Sequence, residues 1–447
     1  MQGYREYAAS QTAWLGDLPS HWECKKIGSL FTERKTKVSD KDYSPLSVTK
    51  MGILPQLKHA AKSNDGDNRK LVCEGDFVIN SRSDRKGSCG VSELDGSVSL
   101  INLILTPRGQ WNNRYAHYLL RSQPFSEEYY RNGRGIVADL WTTRYSEMKS
   151  ILLPVPPREE QDQIVRFLDW KVSSINRLIR IRKRQIEELE AIKRSSIGYL
   201  VMGQAQSIPQ RDTEVNWVKT IPAHWNEKTL IQVAEEQQIK NAGMVEDNLL
   251  SLSYGKIINK DINTTDGLLP SSFEGYQIVH DGNIILRLTD LQNDHKSLRT
   301  GLVTQTGIIT SAYTCLKVRH NILPEYLQLQ LHVADLCKVF YGMGGGVRQS
   351  IGFKEIRKLV IAIPPVQEQQ QILDRVHSIA KPINCAIQNI RDIIAGLEDL
   401  KNRLISDTVT GKIDVRSIEI PEYEFVDEDT DADNEDGDEE EIQEQED

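Results

Sequence analysis

Five groups of residues in this chain have types and spacings that chemistry uses, and each stops short of a catalytic site. The run Gly342-Met343-Gly344-Gly345-Gly346-Val347 has the glycines of a phosphate cradle, where backbone amides can approach an anion because no Cβ intervenes. No Lys-Ser or Lys-Thr follows to hold a terminal phosphate and its metal. Gly411-Lys412-Ile413 lacks the preceding glycine loop altogether. Pro364-Pro365-Val366 shares two prolines with the motif of amino-methyltransferases, but neither the Asn or Asp before them nor the Tyr after. His21-Trp22 and His224-Trp225 set an imidazole beside an indole in an apolar phrase, a setting for packing or a turn. The cysteines Cys24, Cys73, Cys89, Cys315, Cys337 and Cys385 are scattered, with no C-x-x-C. Zinc-ligand spacing is therefore missing, and reduced thiols are the ordinary reading. The chain is expected to be no enzyme and to hold no metal.

The histidine phrases matter more as a repeat. Leu18-Pro19-Ser20-His21-Trp22 returns as Ile221-Pro222-Ala223-His224-Trp225. Pro45-Leu46-Ser47-Val48 returns as Leu249-Leu250-Ser251-Leu252, and Asp76-Phe77-Val78-Ile79 has its counterpart near Gly282-Asn283-Ile284-Ile285. Each copy closes alike, with Pro156-Pro157-Arg158-Glu159-Glu160-Gln161 and with Pro364-Pro365-Val366-Gln367-Glu368-Gln369. His21 to His224 is a step of 203 residues and Pro156 to Pro364 one of 208. A period of that size is a domain plus a helix, far too long for a solenoid. Between the shared phrases lie short apolar runs broken by Gly, Asn and Asp, which argue strands and turns. Residues 115–130 and 324–340 read as helices. The ends of the two copies agree while their interiors diverge.

After each Pro-Pro the apolar period lengthens. Pro ends the strand before it and suits the start of a helix. Val172, Ile175, Ile179, Ile186 and Leu189 follow in the first copy. Ile379, Ile383, Ile387, Ile390, Ile394, Leu397, Leu400 and Leu404 follow in the second. These three-and-four spacings form coiled-coil seams, on helices of roughly 40 residues or about 60 Å. Arg182 and Lys193 interrupt the first seam at core positions. An antiparallel pairing of the two helices inside the chain accommodates that, and pairing with other copies is the alternative. The expected fold class is α+β, with two repeated globular domains separated by two long helices in an antiparallel intramolecular coiled coil.

Charge completes the picture. The 447 residues carry a formal net charge of -9, but 17 acidic residues and no Lys or Arg lie between Glu419 and Asp447. Removing those 17 from 64 leaves 47 acidic against 55 basic residues, a body charge of +8. A positive body permits DNA as a partner. The acidic tail, 419–447, is expected to be disordered, serving solubility or competing with DNA for a basic surface. No stretch is long enough to span a membrane and the N-terminus lacks a signal-peptide core, so a cytoplasmic location is expected.

Taken together, the paired Leu/Ile-Pro-x-His-Trp openings, the paired Pro-Pro-x-x-Glu-Gln closings and the long helices after them resemble the specificity subunit of type I restriction-modification systems. Gly133-Arg134-Gly135 and Gly344-Gly345-Gly346 also sit where that family carries a glycine-containing turn. The resemblance covers about residues 12–416, and its strength lies in the ordered duplicate set rather than in one motif. It implies a target-recognition domain at 12–155, a spacer helix region at 156–205, a second recognition domain at 215–363 and a second spacer at 364–416. Each recognition domain would read one half of a split, asymmetric double-stranded DNA target. The helices would dock two methyltransferase subunits, which bind S-adenosylmethionine, and an optional set of translocating restriction subunits. The acidic tail departs from the family pattern.

Reading DNA needs side chains at base edges. Arg and Lys address guanine, Asn and Gln address adenine, and further basic groups hold phosphates. In the first domain Asn80, Arg82, Arg85 and Lys86 cluster in a polar loop after a predicted strand, with Lys35, Lys37 and Lys50 as phosphate contacts. In the second domain Arg287 and Lys296 occupy the matching region, Arg348 and Gln349 follow the glycine run, and Lys256 is a further contact. Glu160, Gln161, Glu368 and Gln369 lie in first helical turns, where a carboxylate suits the helix dipole. They serve either structure or subunit docking. A methylation-only complex, a two-armed protein scaffold and a stand-alone nuclease are the rival readings.

Overall fold

The structure, a computed structural model, describes residues 2–57, 66–109, 111–135, 141–204, 208–262, 272–289, 291, 298–319, 321–343 and 350–427. It mixes helix and strand and divides into two compact units. Unit 1 runs to Arg184 and resumes at Ile390, and unit 2 is Gln185–Asn389.

The central sheet of unit 1 is antiparallel, in the order Cys89–Val91, Phe77–Asn80, Asn102–Pro107, Phe31–Glu33. Strand alternation sends successive side chains to opposite faces, and here both faces are buried. Phe77, Ile79, Leu103 and Leu105 join the main core. Val78 and Ile104 join a smaller one with Leu46, Ile53, Val72 and Val98. That explains why these strands read as unbroken apolar runs rather than alternating ones. Helices Asn113–Arg121 and Gln123–Arg131 add Tyr115, Leu119, Phe125 and Tyr129 to the main core.

Unit 2 repeats the plan. Its central sheet has the order Thr300–Leu302, Ile284–Leu286, Thr314–Val318, Ala234–Glu236, again antiparallel. Ile284, Leu286 and Leu316 face the main core, while Ile285 and Cys315 face a smaller one with Leu250, Leu252 and Val279. Helix Pro324–Leu336 supplies Tyr326, Leu327 and Leu331.

Each closing Pro-Pro is followed at once by a helix of 44 residues, Arg158–Val201 and Val366–Val409. The prolines leave their carbonyls to start the ladder: Glu160 and Gln161 donate to Pro157, and Glu368 and Gln369 to Pro365, at 2.9–3.0 Å. The second helix also carries Pro382 in its interior, where a missing N–H costs about 3 kcal/mol. Each unit is closed by the far end of the helix that begins in the other. In unit 1, Leu404 and Val409 enter the main core, and the Tyr115 hydroxyl donates to the Val409 carbonyl at 3.2 Å. In unit 2, Leu200 and Val201 enter the core, and the Tyr326 hydroxyl donates to the Val201 carbonyl at 3.1 Å. Gly411 and Gly203 follow with φ of 75° and 67°. A Cβ at Gly411 would strike Pro19 and Trp22, and one at Gly203 would strike Pro222 and Trp225.

One sequence expectation needs correction. The acidic tail does not begin as a disordered segment at residue 419, because residues to Asp427 lie along the first long helix. Gln163 donates to the carbonyls of Val415 and Ile418 at 3.0 and 2.9 Å. Ser173 Oγ donates to the Glu424 carbonyl and accepts from the Val426 amide, and Asn176 donates to the Val426 carbonyl at 3.2 Å. Ile418 and Ile420 pack on the main core. Composition hides this, since the apolar residues Ile418, Ile420, Phe425 and Val426 are interleaved with acids. The remaining tail, 428–447, lies outside the described residues.

Candidate nucleic-acid interface

The frame of each unit is locked by the shared phrases. Glu160 is buried in unit 1 and accepts three side-chain hydrogen bonds: Tyr4 OH at 2.6 Å and Trp22 Nε1 at 3.0 Å on Oε1, and His21 Nε2 at 2.8 Å on Oε2. Burial, with the bond to Glu160, pushes the Tyr4 hydroxyl well above its ordinary pKa. In unit 2 the half-buried Glu368 takes His224 Nε2 at 2.7 Å and Trp225 Nε1 at 3.0 Å. The glutamines are equally matched. Gln161 accepts from the Asn112 amide and donates to the Pro156 carbonyl. Gln369 accepts from the Leu323 amide and donates to the Pro364 carbonyl. All four side chains point inward, so the opening phrase of each unit is tied to its closing phrase.

What this frame presents in unit 1 is a basic groove. A cavity of about 630 Å³ is lined by Lys35, Lys70, Arg82, Arg144 and Lys149, with Glu33 as the acidic member. Lys35 pairs with Glu33 at 3.1 Å. Lys70 donates to the Asn102 carbonyl at 2.6 Å, and burial lowers its pKa while Glu33 opposes the shift. Arg82, Arg144 and Lys149 are exposed at the rim. Such a surface can take a phosphate backbone while offering a guanidinium to a base edge.

The loop after the central strand holds Arg82 in place. The Asn80 carboxamide oxygen accepts the Arg82 amide at 3.1 Å, and the Ser83 amide donates to the Trp141 carbonyl at 3.0 Å. Arg82 also bridges Thr142. Asn80 itself is buried, with its side chain engaged at the strand end. Arg85 and Lys86 are exposed on the same loop, and the Lys86 ammonium lies 5.9 Å from the Tyr130 ring, within reach of a cation–π attraction. Lys37 is exposed on the edge strand Lys37–Val38. Lys50 sits at a hairpin turn, its carbonyl accepting from Arg121. The structure thus brings Lys35 and Arg82 into one groove and places Lys37 and Lys50 on other elements.

In unit 2, Lys256 is exposed at the start of strand Lys256–Asn259. Arg287 is half-buried, and its amide donates to the Arg299 carbonyl at 2.9 Å. Lys296, Arg348 and Gln349 lie outside the described residues. Sequence reasoning missed Arg299, which is fully buried and donates to the carbonyls of Arg287 and Thr289 at 3.1 and 2.8 Å. It also missed Lys70, Arg144 and Lys149, which come together with Lys35 only through the fold. Among the described residues no group of His, Cys, Asp and Glu could hold a metal ion. No helix among them is long and apolar enough to cross a membrane.

The chain is similar to known proteins of type I restriction-modification systems. Residues 300–394 match the family model described as the type I restriction modification DNA specificity domain. A curated relative, the putative type I restriction enzyme MjaX specificity subunit of Methanocaldococcus jannaschii, is 23% identical over 450 residues, covering 93% of this chain and 99% of its own. A solved chain from work on complex assembly and conformational transition of the type I R-M system superposes with a TM-score of 0.58 at 14% identity, over 89% of this chain and 99% of that one. The HsdS subunit of Thermoanaerobacter tengcongensis is 14% identical over 89% of this chain and 98% of its own, with a TM-score of 0.41.

Proposed function

We infer that this chain is a DNA-sequence-recognition subunit of the type I restriction-modification specificity family and that it reads two unlike half-sites, one with each unit. The observation that carries this reading is the duplicated frame with unlike contents. Glu160 and Glu368 lock the same phrases, while the loops after the two central strands differ in sequence and in bracing. In unit 1 the exposed Arg82, with Arg144 beside it, would address base edges. Lys35, Lys70 and Lys149 would hold phosphates and set register. Arg85 and Lys86 would extend the contact along the duplex. In unit 2, Lys256, Arg287, Lys296, Arg348 and Gln349 would serve the second half-site.

The chain would contribute position and no bond-making step, and it would act in the cytoplasm. The two long helices would form an antiparallel coiled coil that sets the gap between half-sites and docks two methyltransferase subunits. S-adenosylmethionine would be bound by those partners, with restriction subunits as a further layer of the same assembly. Support for docking comes from large apolar side chains that the helices leave exposed: Leu178, Ile181, Ile393 and Leu400 in unit 1, and Ile192 and Tyr199 in unit 2. Exposed apolar residues at helical spacing suit packing by partner helices.

The test is affinity selection from randomised duplex DNA, using the chain co-purified with its genomic neighbours. Two short unlike motifs at one fixed gap are the expected result. No enrichment from an intact complex would sink sequence recognition and favour a protein scaffold.

A further inference from the structure

The two units carry matching hairpins with unlike tips. In unit 1 the strands Leu46–Thr49 and Gly52–Pro55 set Thr49 opposite Gly52, and Lys50 and Met51 make the turn. Thr49 Oγ1 braces it, accepting the Met51 amide at 3.0 Å and donating to the Gly52 carbonyl at 3.1 Å. In unit 2 the strands Leu250–Ser253 and Lys256–Asn259 set Ser253 opposite Lys256, and Tyr254 and Gly255 make the turn. Their φ angles are 45° and 76°. Positive φ at both central residues is the mark of a type I′ turn, which selects Asn-Gly because those residues tolerate the left-handed region. Gly255 meets that demand, whereas a bulky aromatic at Tyr254 is strained. Neither Lys50 nor Met51 has positive φ, so a two-residue turn on this hairpin can be closed without the strain. Packing does not explain it either. Tyr254 is 70% exposed, and among the described residues no hydrogen bond or ring contact engages its side chain.

Strain kept without packing points to function, and the surroundings of the tip say which. A Cβ at Gly255 would lie 3.1 Å from the Leu298 Cβ and 3.6 Å from the Thr300 carbonyl oxygen. The tip therefore rests on the segment that returns to strand Thr300–Leu302 from the loop after Ile284–Leu286, the loop given above to the second half-site. Lys256, next but one in the chain, is exposed and suits a phosphate beside that contact. We propose that Tyr254 is a specificity-determining residue of unit 2, whose ring enters the duplex at one base step of the second half-site and stacks there on a base. Insertion of an apolar side chain unstacks the step it enters, and this costs least at flexible pyrimidine–purine steps. The ring would thus select a step by its deformability, a readout that the cationic side chains do not supply. Unit 1, with Lys50 at the equivalent position, would lack it. The inference rests on the DNA-recognition reading and deepens it.

Two measurements on the co-purified complex test this, with Tyr254→Asn and Tyr254→Phe. Asparagine is what a type I′ turn prefers, so Tyr254→Asn removes the ring without weakening the hairpin. The first measurement joins thermal melting to affinity selection from randomised duplex DNA. Tyr254→Asn is expected to melt no lower than the intact complex. It should lose preference at one step of the half-site that Arg82→Ala leaves intact, and bind the selected duplex about tenfold more weakly. Tyr254→Phe restores the ring and should recover all but about twofold of that loss. Lower melting of Tyr254→Asn, or an unchanged selected sequence and affinity, overturns the proposal. The second measurement places a fluorescent adenine analogue, quenched while stacked, at each purine of that half-site in turn. Binding should raise its emission at one step with the intact complex and with Tyr254→Phe; a rise that survives Tyr254→Asn at every position overturns insertion. If the intact complex selects no sequence at all, the DNA-recognition reading fails and this inference with it. Two selected motifs that Tyr254→Asn leaves unaltered sink this inference alone.

Discussion

In unit 1 the loop after the central strand is braced by a phenol: the Tyr130 hydroxyl lies 3.4 Å from the carbonyls of both Asn80 and Arg85. In unit 2 the corresponding loop is braced by a cation, because the buried Arg299 guanidinium donates to the carbonyls of Arg287 and Thr289 and meets Tyr341 Oη at 3.2 Å. The demand is the same in both, since carbonyls leaving a sheet into a buried bend need donors. The solutions share no residue type, and the donors come from different elements. Tyr130 belongs to a helix, Gln123–Arg131; Arg299 directly precedes a strand, Thr300–Leu302. A frame that accepts either brace can carry different loops, which suits the proposed reading of two unlike half-sites.

Substitutions can break this comparison or sharpen it. Arg299→Ala leaves buried carbonyls without donors and should destabilise unit 2 by about 3–5 kcal/mol. Tyr130→Phe removes two long bonds and should cost unit 1 about 0.5–1 kcal/mol. Hydrogen exchange, read separately over 284–302 and 77–91, should show that asymmetry; equal losses would mean the two braces are equivalent.

Next in size are the locks. Glu160→Ala strands three donors in a buried setting and should cost about 3 kcal/mol, while Glu368→Ala, with two donors and more exposure, should cost about 1–2 kcal/mol. Local exchange at the Trp22 and Trp225 indoles reports each lock, and a larger loss at Trp225 would contradict the ordering.

Smaller effects belong to the surface. Arg82→Ala should relax base preference in one half-site by about 1–3 kcal/mol at one position and leave the other half-site intact. Binding selection on the variant complex reads this directly, and relaxation in both halves would refute the division of labour. Lys149→Gln should leave preference unchanged and lower the salt slope by about one. A shift in preferred sequence would make Lys149 a base contact instead.

The frame was legible in the sequence because its parts are local phrases repeated in order. The Pro-Pro pairs mark helix starts by a rule of backbone chemistry, and both long helices begin on the next residue. The locks were half legible. His21, Trp22 and Glu160 stand out, but their hydrogen bonds join residues 138 and 139 positions apart, and no periodicity encodes such a pairing. The groove was less legible still. Lys35 and Arg82 are polar residues near strands, whereas Lys70 lies within the strand Arg69–Val72 and Lys149 follows the one-turn helix Tyr145–Met148. Only the tertiary fold brings Lys149 to Lys35. Arg299 was missed because a buried arginine looks like a surface one until its carbonyl partners are known. The ordered segment 419–427 is hidden in the sequence because its acid count outweighs Ile420, Phe425 and Val426.

The completion of unit 1 by Leu404, Val409 and Val415 has a consequence on the ribosome. Residues of unit 1 up to Arg184 emerge long before the segment that finishes their core, and must wait for the rest of the chain to be translated. Among the described residues unit 2 is one uninterrupted stretch, Gln185–Asn389, so its main core, from Leu200 to Val376, is in hand earlier. The part of the protein made first is therefore the part that matures last. During that interval its main core lacks the residues that the second helix supplies, which is when a nascent chain is most exposed to chaperones and to misassembly.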